Sequence, residues 1–202
     1  MSNDLKIPCP TKFEVKKYLA IWDKEPNFYK PEAALIRLFK DYRPNRNIST
    51  ILAKVYALND AFGTAIFWQI PIAEHIEKQE IDEGLYAGDL SVVDNIKVGH
   101  GIKTSGGRER KFYSFATKYC SFHNLEKYPM FDSNVKRALI CFKKNCKRFT
   151  FNNEDLIKYN KFVGIIENFN EVFDLSSSFR DVDKYLYLVG RKLNPNSPEN
   201  KS

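Results

Sequence analysis

Long apolar runs are missing from this sequence. Ala65-Ile66-Phe67-Trp68 comes nearest and is soon broken by Gln69 and Pro71, so no stretch has the length of a membrane span. The start, Met1-Ser2-Asn3-Asp4-Leu5-Lys6, lacks the apolar core of a secretion signal, and the expectation is a cytoplasmic protein without a membrane partner. Glycine is scarce, nine in 202 residues, which leaves few tight turns. No segment alternates apolar and polar residues as a half-buried strand does, and no internal repeat is visible. The four cysteines, at 9, 120, 141 and 146, show no CxxC spacing, so neither a metal nor another cofactor is expected. Cys120 and Cys141 fall on helical apolar faces, the ordinary place for a free buried thiol.

What is present is aromatic and helical. Hydrophobic residues make up 43% of the chain, with sixteen Phe and eleven Tyr, enough for a folded core rather than disorder. The spacing predicts an all-α protein: one compact helical unit over 1–194, with two lobes possible, and a disordered tail over 195–202. An amphipathic helix runs from Thr11 to Lys24, and Pro31 is placed to open a second over Glu32–Phe39. Asn47 or Ser49 caps a third, Ile51 to Leu58, after which Leu58-Asn59-Asp60-Ala61-Phe62-Gly63-Thr64 breaks the period. A Pro71-led helix runs through Glu80, and Gly88-Asp89 starts another with Val92, Val93 and Ile96 on its buried side. Asn152 to Asp155 cap a long helix through Phe173, and Ser176 to Ser178 cap a last one, Val182 to Leu193.

The net charge of +7 is unevenly placed. Lys97 to Arg148 holds thirteen Lys and Arg against three acids, a net +10, which leaves the rest of the chain at −3. A localised basic surface is the footprint of phosphate binding, although a solvated basic face reads the same way from charge alone. The most Gly-rich stretch, Gly99 to Gly107, lies inside this segment, flanked by Lys103, Arg108 and Arg110. Helix, Gly-bearing loop, helix is a plan whose backbone N–H groups can hold a phosphate.

Directly after that loop, Phe115, Tyr119 and Phe122 recur at helical spacing. Ser114 and Lys118 sit four residues apart on one face of the same helix. An extended link through Tyr128-Pro129 follows, and Asp132 then stands at the N-cap of a second helix carrying Val135, Leu139 and Cys141. On local grounds Asp132 is an N-cap and nothing more.

Asp132-Ser133-Asn134-Val135-Lys136-Arg137 resembles the segment bearing the catalytic aspartate in helix-hairpin-helix DNA glycosylases, above all the adenine-excising branch. The eighteen-residue interval from Ser114 to Asp132 matches that family, as does Ala116. Serine at 114, where the strand-nicking branch has lysine, implies a monofunctional enzyme that leaves an abasic site. The family's Leu-Pro-Gly-Val-Gly hairpin signature is missing, and Arg108-Glu109-Arg110-Lys111-Phe112 stands in its place. The cysteines also do not form the clustered four-cysteine loop by which many relatives hold an iron–sulfur cluster.

The resemblance implies a two-lobed helical fold acting as a monomer on DNA, with a damaged or modified base turned out of the duplex. Asp132 then stabilises the oxocarbenium-like sugar or activates water, and Lys118, one turn after Ser114, is the candidate amine. Asn59, Phe67, Trp68, Ser114, Tyr119 and His123 are the candidate base pocket. Lys103, Gly106, Gly107, Arg108, Arg110, Lys111 and Lys136 are the candidate phosphate contacts. Read without the family, Asn59 is a helix-end turn residue, Phe67 and Trp68 are core, Lys118 meets a phosphate or an acid, and His123 is structural. The alternative function is a non-catalytic helical nucleic-acid-binding protein.

Overall fold

A computed structural model describes residues 7–64 and 66–194, so the expected tail at 195–202 lies outside the described residues. All named elements among them are helical, and the only β pairing is an isolated antiparallel bridge between Lys103 and Glu109. The chain separates into two compact units, one made of its two ends, Met1–Glu25 with Pro129–Ser202, and one of the intervening Pro26–Tyr128.

The unit made of the chain ends holds α1 (Lys12–Lys24), α8 (Ser133–Asn145), a 3-10 turn (Asn153–Ile157), α9 (Tyr159–Val172) and α10 (Phe179–Lys192). Thr11 and Ser178 cap α1 and α10 with their side-chain oxygens, as their residue types favour. The expected long helix after Asn152 is split: Asn152 caps only the 3-10 turn, and α9 begins afresh after Lys158. Phe142, Phe149, Phe169, Phe173 and Tyr185 form a continuous aromatic cluster with ring centroids 5.0–6.4 Å apart. Cys9 and Cys146 are joined as a disulfide, tying the N-terminal segment to the end of α8; the cysteine spacing gave no sign of it. Cys120 is buried and Cys141 half-buried, neither of them part of that disulfide.

The intervening unit holds α2 (Pro26–Asp41), α3 (Ile48–Phe62), α4 (Gln69–Lys78), α5 (Asp82–Ala87), α6 (Ser91–Lys97) and α7 (Tyr113–His123). Helix α2 opens at Pro26 rather than at Pro31, which lies inside it; the first proline takes the terminal position where no N–H is needed. Helix α3 runs on through Asn59 and Asp60 and stops at Gly63, whose left-handed backbone (φ 54°) closes the end. Gly88 ends a short helix that the sequence reading missed, α5, and the Asp89 carboxylate then accepts from the Ser91 N–H at the start of α6. Helix α7 contacts α2, α3, α5 and α6, and every side chain from Phe115 to Phe122 is buried.

Helices α8 and α10 meet at a contact only glycine allows. A Cβ at Gly190 would stand 1.9 Å from the Asn134 carbonyl oxygen, in the first turn of the helix that Asp132 starts. Gly164, within α9, has open space instead. Gly190→Ala should therefore lower stability by about 2 kcal/mol and Tm by roughly 5 °C. Gly164→Ala should leave Tm unchanged or raise it, by up to ~1 kcal/mol of helix propensity. Thermal melts of the two variants check this.

Candidate nucleic-acid interface

Asp132 takes the cap position its sequence foretold. Its backbone is extended (φ −151°, ψ −179°), and Oδ1 accepts from the N–H groups of Asn134 and Val135, both at 2.8 Å. The link before it is pinned: the Asp183 carboxylate accepts from the Met130 N–H at 2.8 Å, and Tyr159 donates its hydroxyl to the Pro129 carbonyl at 3.1 Å. Arg137 donates to Asn134 Oδ1 and to the Gly190 carbonyl, which fixes the first turn of α8 against α10. The result is a half-buried carboxylate on a rigid helix start, with Lys136 exposed four residues on. Asp132 and Lys136 belong to the unit made of the chain ends; every other candidate lies in the intervening unit.

There the candidates divide by depth. Lys118 is buried and donates to Ser114 Oγ at 2.7 Å, confirming their shared face, with its amine 5.5 Å from the Phe62 ring centre. Tyr119 is wholly buried and donates its hydroxyl to Asn45 Oδ1, so its ring is core rather than the wall of an open pocket. His123 packs edge-on against Phe39 and tilted against Tyr119, with ring centres 4.9 and 5.2 Å away. Both its ring nitrogens are shielded without a hydrogen-bond partner among the described residues, so a structural imidazole fits better than a proton-transfer group. Asn59 faces its own loop: Oδ1 accepts from the Thr64 hydroxyl and the Ile66 N–H, and Nδ2 donates to the Ile66 carbonyl.

Behind α7 lies a polar cluster that sequence reasoning missed. Asn45 Oδ1 accepts from Tyr119 and from Lys54 Nζ (3.0 Å), while Nδ2 and the backbone N–H of Asn45 donate to Asp82 at 2.7 and 3.0 Å. Lys54 also donates to the carbonyls of Arg43 and Pro44. Burial pushes the Lys54 amine down to about 8, against the opposing pull of Asp82. Asn45 and Asp82 also line a cleft of about 530 Å³ with Arg46, Glu77, Glu80 and Glu83. Its four carboxylates make it a poor seat for phosphate. These groups are far apart in sequence, and no motif joins them.

The surface groups form a different arrangement. Phe67 and Trp68, which read as core, are 75% and 38% exposed on the link between α3 and α4. They meet edge to face at 6.1 Å, and the Arg110 guanidinium lies 5.0 Å over the Trp68 ring. Arg110 belongs to a hairpin between α6 and α7, in which its N–H donates to the Ile102 carbonyl and Thr104 N–H donates to the Arg108 carbonyl, both at 2.8 Å. Gly107 turns the tip with φ 76° and donates its own N–H to Thr104, so that amide is committed within the turn. Lys103, Gly106, Arg108 and Lys111 are exposed. Cations bordering bare aromatic rings suit a polyanion with flat faces.

His100 anchors the base of this hairpin, packed 4.7 Å from His75 and 5.4 Å from Phe112. Burial, and then His75, push it down to about 4, against weaker pulls from the Ile96 carbonyl and Glu109. His123 is likewise held well below the usual imidazole range, first by burial and then by Lys54 and Arg43. Both rings favour the neutral form in the folded unit and gain protons on unfolding, so the contribution of His100 is full above pH 6.5 and declines as pH falls toward 4, and that of His123 has the same sign. Denaturant titrations across that window should show stability falling with pH. His100→Phe, which keeps a ring in place, should remove on the order of 2 kcal/mol of that fall.

Comparison with known proteins bears on 14–128 most directly. Those residues match the family model described as "HI_0787_N, N-terminal domain", and the match ends at Tyr128, where the intervening unit also ends. A protein of Haemophilus influenzae described as uncharacterized is 36% identical over 151 residues, which are 74% of this chain and 71% of that protein. No solved structure matches. The chain belongs to the family of that N-terminal domain.

Proposed function

We propose that this member of the HI_0787_N family is a DNA glycosylase. The reading is that it hydrolyses the bond between a sugar and a damaged or modified base. Asp132 serves as the carboxylate that stabilises the oxocarbenium-like transition state or activates water. The observation that carries it is the half-buried Asp132 carboxylate on a pinned helix start, at the Ser114–Asp132 interval of helix-hairpin-helix glycosylases. The exposed cations of the hairpin and the bare rings of Phe67 and Trp68 support DNA as the ligand. A monofunctional reaction suits Lys118, whose amine is buried against Ser114 rather than presented to a sugar.

No helix among the described residues is long and apolar enough to cross a membrane, and the reading places the protein with DNA in the cytoplasm. The Cys9–Cys146 disulfide pulls the other way, since such bonds persist in oxidising compartments.

A second reading, a nucleic-acid-binding protein without catalysis, is favoured by how completely α7 is sealed: Ser114, Lys118 and Tyr119 all bond within the unit. One variant separates the two. Asparagine caps helices as well as aspartate does, so Asp132→Asn should keep the fold while removing the charge. Duplexes carrying a panel of modified bases, followed by alkali, should reveal abasic sites with wild type and none with Asp132→Asn, at DNA affinities within about twofold. Full activity in Asp132→Asn would overturn the catalytic role. No product from either protein, with binding intact, would establish the second reading.

A further inference from the structure

Among the described residues, Phe67 has a side chain 75% exposed between α3 and α4. Its neighbour Ile66 is buried, with its N–H bonded to Asn59 Oδ1 at 2.9 Å and its carbonyl accepting from Asn59 Nδ2 and Gln69 Nε2. The backbone there is clamped, so the exposed ring is displayed from a fixed base rather than from a loose loop. Trp68 stands edge-on beside it, with one face taken by Arg110, and Ile70 extends the apolar area at 55% exposure.

Exposed rings of this kind usually await an apolar partner. Here the border decides the chemistry. Arg110 lies on the Trp68 ring, and its hairpin carries exposed Lys103, Arg108 and Lys111. Glu109, the one acid on the hairpin, takes the Gly99 N–H at 2.6 Å. A paired duplex offers this surface phosphates alone, because its base faces are stacked on one another. A strand with an unpaired base offers phosphates and a free aromatic face together.

We infer that Phe67 and Trp68 form a stacking platform for an unpaired base, so that this face takes DNA with an extrahelical or single-stranded base in preference to fully paired DNA. The inference rests on the DNA reading above and goes beyond it by naming the substrate class and the residue that selects it. Phe67 supplies the open ring face. Trp68 buttresses it, and Arg110 is held by Trp68 where its charge meets the backbone of the same strand. Asn59 acts one step back, as the positioning residue that clamps Ile66.

The test is fluorescence anisotropy with the whole chain and two labelled duplexes of one sequence, fully paired or carrying one bulged thymine. Wild type should bind the bulged duplex about tenfold more tightly, within the range of single base–aromatic stacks. Phe67→Ala should abolish that preference while holding affinity for paired DNA within about twofold, and Phe67→Tyr, which keeps a ring, should restore it. Replacing Lys103 and Lys111 by Ala should weaken both duplexes alike and flatten the salt dependence. Equal wild-type affinity for the two duplexes, or a preference that survives Phe67→Ala, would overturn the platform and leave the DNA reading standing. No binding to either duplex at low salt would overturn both.

Discussion

A helix buried on nearly every side must satisfy most of the polar groups it carries from within, and α7 is such a helix, with the ring nitrogens of His123, unbonded among the described residues, as an exception. Thr117 donates back to the Ser114 carbonyl, Lys118 to the Ser114 hydroxyl, and Tyr119 to Asn45. Asn45 is then drawn into the unit with Lys54 and Asp82, because a hydroxyl, an ammonium and a carboxylate left unpaired there would each cost several kcal/mol, roughly, in lost solvation. The intervening unit is in this sense assembled around the polar residues of its most apolar environment. The neutral His123 belongs to the same account: its place beside Phe39 and Tyr119, near two cations, leaves no room for a third positive charge.

That constraint moves function outward. Side chains committed to holding α7 are not free to meet a ligand, so in the proposed reading recognition falls to what surrounds it. The connection from α3 to α4 and the hairpin from α6 to α7 bring aromatic rings and cations to the surface together, joined by Arg110 on Trp68. In the unit made of the chain ends, Asp132 is a helix cap that accepts from the N–H groups of Asn134 and Val135, in a helix start held by the close approach at Gly190.

The sequence made local features legible and left long-range ones hidden. Asp132 was readable as a cap, and Asn47 and Ser178 as candidates beside Ser49 and Ser176–Ser177, because the bond each makes runs to a residue two or three positions on. The buried face of α7 was readable from the spacing of Phe115, Tyr119 and Phe122. Pro31 misled because a proline marks a helix start only when no earlier one does, and Pro26 precedes it. Asn59 and Asp60 are turn formers by type, yet the helix carried them to Gly63, the first residue to adopt φ above zero cheaply. Phe67 and Trp68 looked like core because apolar composition reports hydrophobicity and not the side of the chain that faces water. Asn45, Lys54 and Asp82 carried no signal at all, being linked only through the fold. The Cys9–Cys146 pair, 137 residues apart, was hidden for the same reason.

The most direct test of this division between a sealed interior and a working surface is hydrogen exchange by mass spectrometry, with and without a short duplex bearing a bulged base. The account predicts added protection over 64–70 and 98–111, with the amides of α7 slow and unchanged in both states. Protection that appears instead around the acidic cleft of Glu77, Glu80, Asp82 and Glu83, or exchange in α7 that quickens when DNA binds, would contradict it.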